Sequence, residues 1–183
     1  MIIGITGTLG AGKTTIVDYL MKKEFKHYSV RDYLIKIIEK RGMTVNRDSM
    51  VTVGNELRAK HTPSYIVEEL YKEAKQKGGN CIIESIRTKG EVDALRGKDE
   101  FFLIAVDADK KTRYNRITAR KSATDSITFE TFVADEEREM TSNDPGKQNL
   151  KVCIDLADFK IYNSGSIDDL NKKVEDILCR IKK

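Results

Sequence analysis

Residues 7–14 read Gly-Thr-Leu-Gly-Ala-Gly-Lys-Thr and match G-x-x-x-x-G-K-[ST] at every fixed position. The apolar run Ile2 to Thr6 precedes this stretch. A segment with Ile16, Val17, Leu20 and Met21 on one helical face follows it. A strand that turns through glycines straight into a helix is the context in which such a loop binds phosphate. Gly7, Gly10 and Gly12 let the backbone amides around Thr8, Leu9 and Ala11 curl about an anion, and the helix N-terminus adds a partial positive charge. Lys13 is then placed to reach the β- and γ-phosphates of ATP, and Thr14 to offer a hydroxyl to Mg²⁺. Thr15 is the next helical residue, with no required role. The plain alternative is a glycine-rich turn that holds no ligand.

Short apolar runs alternate with longer amphipathic ones along the rest of the chain. Strands are expected at Ile2–Thr6, Tyr28–Val30, Cys81–Glu84, Phe101–Val106 and Phe159–Tyr162, and helices over Lys13–Lys23, Asp32–Lys40, Asp48–Lys60, Lys110–Lys121 and Phe129–Met140. Pro63 suits the first turn of another helix, which stops at Gly78-Gly79. Ser166 and Asp169 form a capping-box pattern ahead of the last helix. Cys81–Glu84 and Phe101–Val106 are continuous rather than alternating apolar runs, which favours a parallel sheet covered on both faces. Strands separated by helices give an α/β fold with five strands. The 183 residues suit one domain spanning 1–183. Residues 122–150 are the most polar stretch and are expected to form a flap.

Composition excludes more than it selects. Lys and Arg number 33 against 29 Asp and Glu, a net +4, which helps attract polyanions or simply keeps the chain in solution. No basic block interleaved with aromatics suggests a nucleic-acid partner. With two histidines, a histidine-based metal site is not expected. Cys81, Cys153 and Cys179 are widely spaced, as reduced thiols of a cytoplasmic protein would be. No signal peptide or membrane span is expected. An Asn-Lys-x-Asp guanine reader is missing, since Asn171-Lys172-Lys173-Val174 fails at its last position.

Further along, several segments resemble nucleoside and nucleotide kinases over nearly the whole chain. Ser29-Val30-Arg31-Asp32-Tyr33-Leu34 resembles the opening of an acceptor-binding arm. Gly54-Asn55-Glu56-Leu57-Arg58 resembles a segment near the acceptor. Ile82-Ile83-Glu84-Ser85-Ile86-Arg87 resembles the D-G-x-x-R stretch at the end of the third strand. Arg113, Arg116 and Arg120 resemble the arginines of a lid helix. The similarity is closest to adenylate-kinase-like and deoxynucleoside-monophosphate-kinase-like proteins, including an uncharacterised archaeal group. It implies a three-layer P-loop NTPase fold with a five-stranded parallel sheet, a nucleoside-monophosphate-binding arm over 31–78 and a small helical lid over 113–150. It also implies roles. Lys13, Glu84, Arg87, Arg116 and Arg120 would be catalytic, and Thr14 and Glu84 would serve Mg²⁺. Arg31, Asp32, Arg58 and Arg87 would bind the acceptor, and Asn163 and Gly165 would lie against the adenine.

The sequence departs from that family pattern at three places. Ile35 stands where an acceptor-phosphate arginine is usual, Glu84 where Asp is usual, and Ser85 where many relatives have Gly. Arg31 or Arg58 can take over the missing arginine's part. Glu91, after Gly90, also resembles the relatives. These residues have plain structural uses too: a solvated charge for Arg31 and for the Arg113–Arg120 stripe, a helix cap for Glu91, a turn for Asn163-Ser164-Gly165-Ser166. The charge run Asp135-Glu136-Glu137-Arg138-Glu139 reads as a solvated face, and Cys153 as core. The expected activity is transfer of the ATP γ-phosphoryl group to a nucleoside or deoxynucleoside monophosphate. Alternatives are a dephospho-coenzyme-A-kinase-like enzyme with Glu84 as base, a nucleotide-sensing module without turnover, and, last, an RNA-linked role.

Overall fold

The computed structural model describes residues 1–98, 100–120 and 127–181. Its centre is a five-stranded parallel sheet in the order β2-β3-β1-β4-β5. The strands are β1 (Ile2–Gly7), β2 (Lys26–Ser29), β3 (Cys81–Glu84), β4 (Phe101–Asp107) and β5 (Phe159–Tyr162). The apolar runs are buried on both sides, as the sequence pattern requires. Successive residues feed opposite cores. Ile3, Ile82 and Ile104 pack with Ile16, Leu20, Val174 and Leu178 of α1 (Lys13–Met21) and α9 (Ile167–Ile181). Ile2, Ile83 and Leu103 face the other way. They pack against residues of α2 (Val30–Lys40), α3 (Arg47–Lys60), α4 (Tyr65–Lys77) and α5 (Lys89–Arg96). Cys153 of α8 (Leu150–Asp155) belongs to this second core, as expected, and none of the three cysteines forms a disulfide. The result is the expected three-layer α/β fold.

Several boundaries differ from expectation for local reasons. Val30 starts α2 instead of ending a strand, because Ser29 caps the helix: its Oγ accepts the Asp32 amide at 3.1 Å. Pro63 lies ahead of α4, whose N-cap is Ser64. Its carbonyl instead accepts the Thr88 hydroxyl. Gly78, at φ 63, ends α4 as expected. The Ser166–Asp169 box forms, each backbone amide meeting the other's side chain. The helices α5 and α8 are short; the sequence marks α5 only by the cap at Glu91, which forms, and gives no sign of α8.

Two helices complete the chain over the carboxyl ends of the strands: α6 (Lys110–Ala119) and α7 (Phe129–Met140). Lys121, the expected end of α6, and positions 122–126, the start of the expected flap, lie outside the described residues. Within the rest of that stretch, one face of α7 is packed while residues 128–131 and 143–145 are exposed. Phe132 is fully buried, and Glu136 and Glu139 are 7% and 6% exposed. The acidic run is therefore not a solvated face. At helical spacing Phe132, Glu136 and Glu139 share the inward side, where arginines from other elements receive the two carboxylates. No helix among the described residues is long and apolar enough to cross a membrane.

Candidate functional site

The phosphate loop sits at the carboxyl end of the central strand, in the crevice where parallel α/β sheets place their ligands. Gly10 and Gly12 have φ of 79° and 108°, and each is also sterically required. A Cβ on Gly10 would lie 2.5 Å from the Arg113 carbonyl oxygen, and one on Gly12 would lie 2.5 Å from Asn163 Nδ2. The first intrahelical bond of α1 is Ile16 N–H to the Gly12 carbonyl, so the amides of Lys13, Thr14 and Thr15 are those a helix start leaves for a ligand.

Distant residues hold the loop in shape. The Thr8 hydroxyl donates to Asp107 at the end of β4, Arg113 Nη1 donates to the Leu9 carbonyl at 3.2 Å, and Asn163 Nδ2 donates to the Ala11 carbonyl at 2.8 Å. Lys13 Nζ donates to the carbonyls of Gly7 and Thr8, both at 2.9 Å.

Lys13 is electrostatically unusual. Burial, followed by the repulsion of Arg87, lowers its pKa to about 7, although Glu84 and Glu139 pull the other way. A bound polyphosphate supplies the negative charge that this ammonium lacks, so binding raises the pKa again and takes up a proton. The sign is fixed: above about pH 7 the free protein holds Lys13 neutral, the complex holds it charged, and affinity falls as pH rises, by up to about tenfold per unit. Calorimetry of ATP binding at pH 8, in buffers of different ionisation enthalpy, should show uptake of close to one proton, absent in Lys13→Met.

On one side of the loop a groove is lined by Gly12, Thr15, Arg116, Arg120, Asn163, Gly165 and Ile167. This is where Arg116 and Arg120 come together. Arg116 Nη2 donates to the Asn163 carbonyl at 3.1 Å, and its buried Nη1 has no partner among the described residues. Asn163 is itself buried. Its backbone amide bonds the Asp107 carbonyl at 2.7 Å, so it fastens the loop as well as lining the groove beside Gly165. Arg113 does not join the other two arginines. It is 3% exposed, pairs with Glu136 through both Nη atoms, and lies over the Phe132 ring.

On the other side lies a pocket lined by Leu9, Val30, Leu34, Met50 and Val51 together with Arg31, Arg47, Arg58, Arg87 and the carboxylate of Glu139. Arg58 is 3% exposed and donates through Nε and Nη2 to Glu91 Oε1 at 3.1 and 2.8 Å. Its Nη1 is buried with no partner among the described residues. Gly54 leaves it room, since a Cβ there would lie 3.2 Å from that nitrogen. Glu91 is wholly buried. Its Oε2 accepts the amides of Arg87 and Thr88 at 2.7 and 3.1 Å, so it both caps α5 and positions Arg58. Arg31 lines the pocket from the start of α2, whereas exposed Asp32 is not among the lining residues.

Glu84 ends β3 half-buried, with Oε2 3.5 Å from His27 Nε2. That contact is an ion-pair distance without hydrogen-bond geometry, and His27 Nε2 has no other partner among the described residues. Burial pushes the Glu84 carboxyl up, but His27 and the Lys13 ammonium outweigh it and the net direction is down. Glu84 is thus a carboxylate and a weak base. Among the described residues no group of three or more His, Cys, Asp or Glu could hold a metal ion unaided. A threonine hydroxyl and a carboxylate, Thr14 and Glu84, are hard-oxygen donors that suit Mg²⁺ only when phosphate oxygens complete its shell.

The next residue, Ser85, has φ 71, a left-handed conformation for a non-glycine residue. Its amide and that of Ile86 donate to the Ile5 carbonyl at 3.0 and 3.3 Å, which holds the backbone in that turn. Ser85→Gly should stabilise the protein by about 1 kcal/mol, read as a raised denaturant midpoint.

Sequence reasoning missed Glu139, Arg47 and Asp107. Glu139 accepts from Arg47 Nη2 at 2.8 Å and from Arg87 Nη1. Asp107 stands at the end of an apolar strand beside a phosphate loop, a position that could have marked it.

The comparisons agree with this architecture. A family model described as an AAA domain matches residues 3–143. A UPF0200 protein of Methanococcus maripaludis is 30% identical over 186 residues, covering 100% of this chain and 98% of the relative. Another, from Pyrobaculum aerophilum, is 28% identical over 99% and 98%. Among solved structures, TT1252 from Thermus thermophilus aligns with a TM-score of 0.67 at 20% identity over 98% of this chain and 97% of its own. Shikimate kinase from Bacteroides thetaiotaomicron aligns with a TM-score of 0.58 at 14% identity over 97% and 98%. Dephospho-CoA kinase from Campylobacter jejuni aligns at 0.54 and 16% over 98% and 96%. At these identities the structures speak for the fold alone. The chain belongs to the UPF0200 family and carries an AAA domain with the three-layer fold of P-loop kinases.

Proposed function

We propose that the chain is an ATP-dependent phosphotransferase whose acceptor is a nucleoside or deoxynucleoside monophosphate. The observation that carries this is the pair of cavities flanking one phosphate loop. Gly12 and Thr15 line the first and Leu9 lines the second. A protein that only hydrolyses or senses a nucleotide has no need of the second cavity. Its lining, apolar on one side and rich in arginine on the other, suits a flat apolar group joined to an anion.

Bound ATP-Mg²⁺ supplies the phosphoryl group and part of the charge neutralisation. The chain's residues do the rest. Amides at the start of α1 and Lys13 hold the outer phosphates. Thr14, with Glu84 behind it, would hold the metal. Arg116, Asn163 and Gly165 line the base groove, and Arg87 lines the second cavity, close enough to Lys13 to act on its charge. Arg31 and Arg58 orient the acceptor. Its phosphate oxygen is already a nucleophile, so positioning and charge stabilisation suffice and no strong base is required.

A hydroxyl acceptor is the second reading, and shikimate kinase and dephospho-CoA kinase among the neighbours favour it. It needs a base, and Glu84 is held low and does not line the pocket. ADP release with a panel of nucleoside monophosphates, deoxynucleoside monophosphates and dephospho-coenzyme A separates the two. Turnover with none of them, in protein that binds ATP, would sink both.

A further inference from the structure

The arginine-lined pocket already contains an anion, and it belongs to the protein. Glu139, near the end of α7, is 6% exposed. It accepts from Arg47 Nε at 3.1 Å and Nη2 at 2.8 Å and from Arg87 Nη1. It also lies close enough to Lys13 to act on its ammonium. Two of the pocket's four arginines are thus engaged by one carboxylate at the place where the phosphate loop and the pocket meet. Beneath the same pocket Arg58 Nη1 is buried with no acceptor among the described residues, so the cradle holds more donors than the carboxylates described there satisfy.

We propose that Glu139 sets what this pocket accepts: it occupies the seat of the acceptor's anionic group, and an acceptor enters by exchanging with it. This rests on the pocket being the acceptor site. The chemistry follows from counting charges and lone pairs. A neutral molecule offers Arg47 and Arg87 nothing to replace a carboxylate, so it cannot displace Glu139. A phosphate monoester brings three terminal oxygens and up to two charges. It can satisfy Arg47, Arg87 and the spare nitrogen of Arg58 together, which Glu139 with two oxygens does not. The substrate class is therefore an organic phosphate whose remaining part packs on Val30, Leu34, Met50 and Val51.

Losing the Glu139 carboxylate should not release α7. Asp135 pairs with Arg47 at 3.3 Å, Arg138 with Asp48 at 3.0 Å, and Glu136 with Arg113. The test titrates inorganic phosphate by calorimetry into wild type, Glu139→Gln and the double variant Glu139→Gln/Arg87→Gln, each with and without saturating ADP. Removing the competing carboxylate should tighten phosphate binding at least about tenfold, and removing Arg87 as well should abolish the gain. Glu139→Ser, which leaves the seat open, should change affinity in the same direction. A carboxylate that merely held the fold together would weaken phosphate binding when replaced. Unchanged or weaker binding in folded Glu139→Gln overturns the proposal, as does a gain that survives the loss of Arg87. Failure of ADP to bind in the same titrations would count against the phosphotransferase reading instead, leaving the wild-type and variant comparison on the free protein to decide the role of Glu139.

Discussion

Lys13→Ala is expected to lower acceptor-dependent ADP release by about two to three orders of magnitude, the usual cost of removing one preorganised donor from a developing phosphoryl charge. The fold should survive. In the free protein, among the described residues, the ammonium bonds only to the carbonyls of Gly7 and Thr8, and burial beside Arg87 already disfavours its charge. The loop's shape is fixed elsewhere, by Asp107, Arg113 and Asn163. Activity and stability should therefore part company. Turnover by the panel assay should collapse while the thermal midpoint stays within a few degrees of wild type. A variant that keeps a tenth or more of the wild-type rate would show that phosphoryl charge is not stabilised at Lys13, and the assignment of the transfer position would fail with it.

Glu91→Ala should be the most destabilising single substitution near the site. The carboxylate is fully buried and receives four donors: Arg58 Nε and Nη2 and the amides of Arg87 and Thr88. Its removal strands a buried guanidinium whose Nη1 is already unpaired and uncaps α5. Breaking a buried pair from one side costs about 3–5 kcal/mol, or on the order of 10 °C in thermal midpoint for a domain of this size. Glu91→Gln keeps an acceptor oxygen while losing the charge, and should fall between. Denaturant unfolding of the two variants would measure the split. A Glu91→Ala cost below about 1 kcal/mol would mean that Arg58 finds another acceptor, contrary to the geometry.

The phosphate loop was legible in the sequence because its chemistry is local. Glycine spacing, a lysine and a threonine, set between an apolar strand and a helix, state the requirement within eight consecutive positions. The Ser166–Asp169 cap is legible for the same reason. The charged interior was not. Asp135-Glu136-Glu137-Arg138-Glu139 looks solvated until its partners are known, and those are Arg113, Arg47 and Arg87, 23, 92 and 52 residues away. Arg58 looked like a surface or substrate arginine, and only the fold brings Glu91 against two of its nitrogens while leaving the third unpaired. The helix α8 has six residues, too few for a period to show.

The fastening of the loop by Asp107, Arg113 and Asn163 has a consequence for biogenesis. A ribosome that has made only the first hundred residues has delivered the whole glycine-rich motif but none of the groups that brace it. The loop can take its native, fastened shape only after Asn163 has been made and has met the Ala11 carbonyl, so protection of the loop's amides should lag well behind synthesis of the motif itself.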